Sequence, residues 1–394
     1  MMNEANLRAF NLQQMGVEAL VERRALYLEG SRVPELQPMG DTFERRGHIY
    51  PAKQPGQLLL GAMAYALLHA VGISYAKNYV LAAALVTFLS AALVTAVGAL
   101  ECGSVAAALN AAAKPPHSIA ATLTYAFATT ATVYSGIAHH DLIATSLLVI
   151  AFALLHRGGR GSAIAAGVLL GFAITTSMLV VPLAVILILY SRERLWTLAG
   201  TLVGLLPLLV YDAIAFGNPL LVPNLAGEYD ETYLRLDLQN FAEKVVFYAR
   251  LLLQYVPFAP LGILGLANLP RRERLAAFAM LAVLFLQVTN IRTTGDCQYG
   301  PRYLLPAMPL LALGVTQLQA RWLRILAVLA VTASAVINVA GALRSAMWCD
   351  PGTFAFLRSD MPSHPLAPIL FLSLLTVAVA LLRRQRSTCH NSCA

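Results

Sequence analysis

Asp296-Cys297-Gln298-Tyr299-Gly300-Pro301-Arg302-Tyr303-Leu304-Leu305-Pro306-Ala307-Met308-Pro309 places an acid, two tyrosines and an arginine against the start of an apolar, proline-punctuated run. A polar loop that feeds without a break into a membrane segment marks a surface where something polar binds at the bilayer edge. The rest of the chain supplies the membrane. Of its 394 residues 58% are hydrophobic and 12% charged, and the mean hydropathy is +0.66. Uncharged apolar runs recur from Tyr79 to Leu382, each close to the roughly 20 residues that cross a bilayer as a helix. The fold class expected is all-α: a polytopic helical membrane protein with about 11 membrane segments, one of them a short broken hairpin.

The net charge of +8 raises nucleic acid as a partner, and the positions of the basic residues exclude it. They cluster at the ends of apolar runs: Arg157 and Arg160, Arg192 and Arg194, Arg271 to Arg274, Arg321 and Arg324, and Arg383 to Arg386. This is the pattern of cytoplasmic loops under the positive-inside rule. With all five clusters on one side, spans follow near Tyr79–Leu100, His117–Ser135, Leu142–His156, Leu195–Tyr211, Val246–Asn268, Leu275–Thr289, Tyr303–Leu318, Leu323–Ala342 and Leu366–Leu382. The 29 residues from Ser162 to Tyr190 carry basic clusters at both ends, so they must go in and come back, folding near Thr175-Thr176-Ser177-Met178. The other side then collects the His139-His140-Asp141 turn and the loops 212–245, 290–302 and 343–365. The domain plan is a polar segment with a following helix over 1–78, a transmembrane domain over 79–386 and a cytoplasmic tail over 387–394.

The run Gln57 to Gly72 stays open on these grounds. As a span it puts residues 1–55 inside, and as an interfacial helix it puts them outside. Seven basic and seven acidic residues in the first 55 do not decide between the two. The five cysteines have no metal-ligand spacing apart from Cys389 and Cys393 in the tail, which argues against a disulfide framework. Cys297 with Cys349 is the one bridge that the expected topology allows.

Three motifs then resemble a known class. Gly47-His48-Ile49-Tyr50-Pro51-Ala52-Lys53-Gln54-Pro55-Gly56 before an apolar helix, Phe216-Gly217-Asn218-Pro219 just beyond a span, and Gly300-Pro301-Arg302-Tyr303-Leu304-Leu305-Pro306-Ala307-Met308-Pro309 occur in the order seen in the GT-C glycosyltransferases. That class includes protein O-mannosyltransferases and the aminoarabinose transferase acting on lipid A. The resemblance implies a bacterial inner-membrane enzyme with a periplasmic active face. Its donor would be a polyprenyl-phosphate sugar, its acceptor a periplasmic glycan, lipid or protein, and transfer would proceed with inversion and without a cofactor. It also implies that Gln57–Gly72 lies along the outer interface and that a transmembrane helix precedes Met1, so that the start reads as truncated or misannotated.

Inverting transfer from a lipid phosphate needs one base, because the leaving phosphate takes no proton, and cations to hold that phosphate. Glu4 and Asp41 are the candidate bases. Glu4 is favoured by the layout of the class, and both compete with simple pairing to Arg8, Arg45 or Arg46. Lys53 and Arg302 are the candidates for phosphate, as a point charge and a planar fork. The bland alternative for Arg302 is a snorkelling interfacial side chain. His139 and His140 are assigned hydrogen bonds to donor or acceptor, and Tyr299 and Tyr303 either sugar contact or an interfacial aromatic position. Asp141 reads as a helix cap. No Asp-x-Asp pair occurs, and adjacent histidines on a helix diverge by about 100°, so no metal site is expected. Two rival readings are a transporter or flippase, which would carry ionisable groups in mid-span, and a noncatalytic GT-C-like scaffold.

Overall fold

The computed structural model describes residues 4–37, 41–109, 116–227, 240–291 and 299–343. Its helices are α1 (Glu4–Glu18), α2 (Gly56–Ala70), α3 (Tyr79–Thr87), α4 (Leu93–Leu109), α5 (Pro116–Phe127), α6 (Ala131–Ser135), α7 (His140–Arg157) and α8 (Arg160–Thr176). After these come α9 (Val181–Tyr190), α10 (Arg194–Phe216), α11 (Pro223–Ala226), α12 (Phe241–Tyr255), α13 (Ala259–Leu266), α14 (Arg271–Asn290), α15 (Met308–Val315) and α16 (Arg321–Leu343). Two four-residue strands, β1 (Thr42–Arg45) and β2 (His48–Pro51), form an antiparallel hairpin. The expected segment Leu366–Leu382 and both Cys297 and Cys349 lie outside the described residues.

The chain is a multi-pass helical membrane protein. Among the described residues five helices are long and apolar enough to cross a bilayer: Tyr79–Leu109, which joins α3 and α4 through a π-turn, and α7, α10, α14 and α16. A sixth span results if α12 and α13 count as one, although they meet at 101°. The sequence reads Val246–Asn268 as a single helix. Pro257 removes a backbone donor at the bend and Pro260 sits at the start of α13, where proline is tolerated.

The four basic clusters within the described residues gather at one end of the bundle, and Arg383–Arg386 lie outside those residues. Arg157 meets Glu101 at 2.5 Å, and the Arg160 guanidinium sits over Trp196. Arg272 donates to the Tyr190 carbonyl, Asn268 donates to Gln317 O and His117 contacts Thr316 O. Helices α8 and α10 cross at close range through glycines on both sides. A Cβ at Gly167 would come within 2.1 Å of Thr197 O, and one at Gly171 within 2.2 Å of Thr201 O. Gly167 meets Gly200 and Gly171 meets Gly204, so the two helices run parallel. The chain must therefore return between them. It does so at Ser177, where the backbone turns extended and α9 leads back to Arg192 beside the start of α14.

Within the amino-terminal segment, Glu4–Glu18 form a helix where the sequence suggests a loop. From Phe10 onward α1 is buried almost all round, with Phe10, Leu12, Met15 and Val17 packed with Tyr65, Tyr75, Ala82 and Val86. Its interleaved amides are absorbed by hydroxyls: Gln14 donates to Thr87 Oγ1 and accepts from Tyr75 Oη, and Gln13 donates to Ser90 Oγ. Polar residues that pair inside a helical cap look in sequence like those of a solvated loop.

The Pro-punctuated run from Arg302 also departs from a lipid-facing span. It forms a 3-10 turn over Arg302–Ala307 and then α15, and every residue from Arg302 to Gly314 is buried. Gly262 and Gly265 of α13 let α15 approach, a Cβ at Gly265 falling 1.9 Å from Gly314 O. Asp212, placed at a loop start by hydropathy, lies inside α10 and is fully buried.

Candidate active site

At the end opposite the basic clusters, three stretches distant in sequence converge. The first is the turn into α7. Ala138 is held at φ 52° and Gln57 Nε2 donates to its carbonyl at 2.6 Å, which aims the next residue, His139, into the bundle. The second is the break after α8, where Ser177 Oγ donates to Asp141 Oδ1 at 2.7 Å. The third is the turn before Arg302. Gly300 takes φ +59°, and a Cβ there would lie 3.0 Å from Thr130 Cγ2 and 3.1 Å from Tyr255 Cγ, so both its conformation and its surroundings call for glycine.

Asp141 sits where these stretches meet. Its carboxylate lies 3.9 Å from Arg302 Nε, 3.7 Å from His139 Nδ1 and 3.4 Å from His140 Nε2. Arg302 Nη1 is 3.4 Å from His139 Nε2, and its guanidinium lies 4.3 Å from the centre of the Tyr303 ring. Both Asp141 and Arg302 are buried, at 2% and 8% exposure, which removes the snorkelling reading of the arginine. A neutral imidazole accepts at one nitrogen only. Here Nδ1 accepts from the Asp141 backbone N–H at 3.3 Å, capping α7, while Nε2 is the nitrogen that stands beside Arg302. Burial, together with the charges of His140, Arg302 and Lys53, holds the His139 ring well below the ordinary histidine range.

Lys53 reaches this cluster from the hairpin. Its Nζ lies 3.6 Å from Asp41 Oδ2, with Lys53 mostly buried and the acid half-exposed. The segment that follows is fixed at three points: Gln54 donates to Asn224 Oδ1, Gly56 abuts Thr176 and Gln57 holds Ala138. Gly56 has no room for a side chain, since a Cβ would lie 2.3 Å from Thr176 Oγ1 and 2.7 Å from its backbone nitrogen. The third short motif joins the same region, with Phe216 edge-on to Tyr50 at 5.3 Å and Arg46 within 3.0 Å of a Cβ position at Gly217.

The structure thus brings together Asp41, Lys53, His139, His140, Arg302 and Tyr303 from the residues singled out in sequence. Tyr299 stands apart. It is fully buried, donates to Ile337 O at 3.0 Å and packs edge-on against Tyr255, so it fastens α16. Glu4 opens α1, and its side chain lies outside the described residues. Asp141 and Ser177 were missed as site residues. Their signal was the polar Thr175-Thr176-Ser177 triplet inside an apolar run and an acid following two histidines.

The expectation for the histidines needs one correction. His139 precedes α7 with extended backbone, so its ring stacks on His140 at 4.3 Å instead of diverging by a helical step. Ligand atoms of His139, His140 and Asp141 lie within 4.8 Å of one another, a spacing that could hold a metal ion. The Arg302 guanidinium already stands beside both His139 and Asp141, and a second cation there would face it directly.

No family model matches the sequence, and no curated protein does. Solved structures do match. ArnT from Cupriavidus metallidurans, determined bound to undecaprenyl phosphate and in the apo state, aligns with a TM-score of 0.54 and 14% identity in both forms. The alignment covers 86% of this chain and 61% and 60% of the two ArnT chains. The fold is GT-C-like. This chain spans about three-fifths of the ArnT length, and at 14% identity the likeness is one of fold.

Proposed function

We propose that this protein is a membrane glycosyltransferase that takes a sugar from a polyprenyl-phosphate donor and passes it, with inversion, to a glycan, lipid or protein acceptor on the periplasmic side of a bacterial inner membrane. The observation that carries this reading is the buried Arg302–His139–Asp141 cluster with Lys53 beside it, at the end of the bundle opposite the basic loops. By the positive-inside rule that end faces away from the cytoplasm, and the fold is shared with an ArnT that binds undecaprenyl phosphate.

In this reading Arg302 and Lys53 hold the phosphate and stabilise the charge that grows on it as the sugar leaves. Asp141 acts through Arg302, orienting the guanidinium from below while Ser177 fixes the carboxylate. His139 and His140 hydrogen-bond the donor, and Tyr303 stacks under the arginine. Of the two candidate bases Asp41 is preferred, because it is half-exposed and stands beside Lys53 at the open edge of the cluster. No metal and no cofactor beyond the donor is invoked.

The test is binding of undecaprenyl phosphate to the full chain in nanodiscs, with sugar transfer as a second readout. Losing one charge-assisted contact costs about 1.5 to 3 kcal/mol, so Arg302→Ala and Lys53→Ala should each weaken binding about tenfold or more. Asp41→Asn should leave binding intact and abolish transfer. Unchanged binding in both cation variants would sink the phosphate site, and full transfer by Asp41→Asn would remove that residue as the base.

A further inference from the structure

The basic end of the bundle carries a feature that the catalytic reading does not use. Between the α9–α10 turn and the start of α14 lies an open cleft of about 1010 Å³, lined by Arg192, Arg194 and Arg272 with Trp196 at its edge. Its wall is apolar, formed by Ile186, Leu189, Leu275 and Ala279 among others. Glu193 is the one acid in the lining, and among the described residues no carboxylate pairs with any of the three arginines. Arg194 Nε donates to Leu189 O at 3.0 Å, and Arg272 donates to Tyr190 O while lying 4.2 Å from the centre of the Tyr190 ring. The nearby Glu273 contacts the Tyr190 hydroxyl. The Arg194 and Arg272 guanidiniums are therefore held in place by carbonyls and a ring, which fixes their position without neutralising their charge.

We infer that this cleft binds the headgroup of an anionic phospholipid. The geometry offers what such a lipid presents: phosphate oxygens for Arg192, Arg194 and Arg272, and acyl chains for the exposed Leu189, Leu195 and Leu275. Trp196 is 42% exposed and stacked under Arg160, the position of an interfacial aromatic at headgroup depth. Arginines that only marked topology would be satisfied by bulk headgroups at a convex surface, whereas these three line a concavity with an apolar floor. Basic pockets between transmembrane helices on the cytoplasmic side are suited to this kind of ligand. The site is separate from the Arg302 cluster and does not depend on its proposed activity.

The test is native mass spectrometry of the full chain released from detergent after titration with phosphatidylglycerol or phosphatidylcholine, with inorganic phosphate as a third arm. The chain should retain one phosphatidylglycerol and no phosphatidylcholine. Each arginine near an anionic lipid contributes about a fivefold change in affinity, so Arg192→Gln combined with Arg194→Gln should reduce retention about tenfold or more. The double variant changes two exposed side chains, and its helical content and monodispersity should match the parent. Equal retention of the two lipids, or no loss in the double variant, would overturn the assignment. So would protection by millimolar phosphate alone with no lipid retained, because the ligand would then be a free anion.

Discussion

Arg302 and Asp212 show how differently two buried charges can be housed. Arg302 keeps an acid, an imidazole and an aromatic face around it. Asp212 is fully buried in α10, and neither carboxylate oxygen finds a hydrogen-bond partner among the described residues. A buried charge without a partner costs several kcal/mol, and an amide of the same shape costs less. Asp212→Asn should therefore stabilise the protein, raising its thermal midpoint in detergent by a few degrees, about 1 kcal/mol. A lower midpoint would mean that the carboxylate has a partner after all. The sequence made Arg302 legible because its motif is local, lying within ten contiguous residues. It hid Asp141, since an acid at a helix start reads as a cap. In the structure His139 takes that place at the helix start, and the Asp141 carboxylate turns to Ser177, 36 residues away. Long-range pairings of this kind have no period and no spacing to reveal them.

Among the elements, the long apolar helices were readable from hydropathy, and the break at Ser177 from the charge clusters on either side of it. The kink between α12 and α13 and the burial of α15 were not, because both depend on what packs alongside. Glycines show the reason. Gly56, Gly167, Gly171 and Gly265 are unremarkable in sequence, yet each marks a contact where backbone meets backbone. Gly56 is the most consequential of these for the site. Gly56→Val would force α2 away from Thr176 and drag Lys53 with it. The variant should lose undecaprenyl phosphate binding about as fully as Lys53→Ala, while Gly47→Ala, a few residues upstream with nothing within 4 Å of its Cβ position, should cost only the strain of its positive φ, about 1 kcal/mol. Binding measured on the two variants side by side checks the difference, and equal losses would place the lever in the hairpin turn.

At the scale of the whole molecule, the two ends of the bundle carry different chemistry: the cleft of Arg192, Arg194 and Arg272 at one, and the Arg302 cluster under a hairpin at the other. Cysteine accessibility tests which end faces which compartment. In a background without the five native cysteines, Glu44→Cys on the exposed β1 edge should react with a membrane-impermeant maleimide in intact spheroplasts, and Arg324→Cys only after lysis. The reverse pattern would invert the topology. The three attachments of the segment from Gln54 to Gln57 carry a further consequence. Because that strip is tied to α11, to the end of α8 and to the turn before α7, the floor beneath Lys53 cannot lift like a flap without unfastening three helices at once. In the proposed reaction, the hydrocarbon tail of the donor would then approach Lys53 sideways from the bilayer and not under a lifting hairpin.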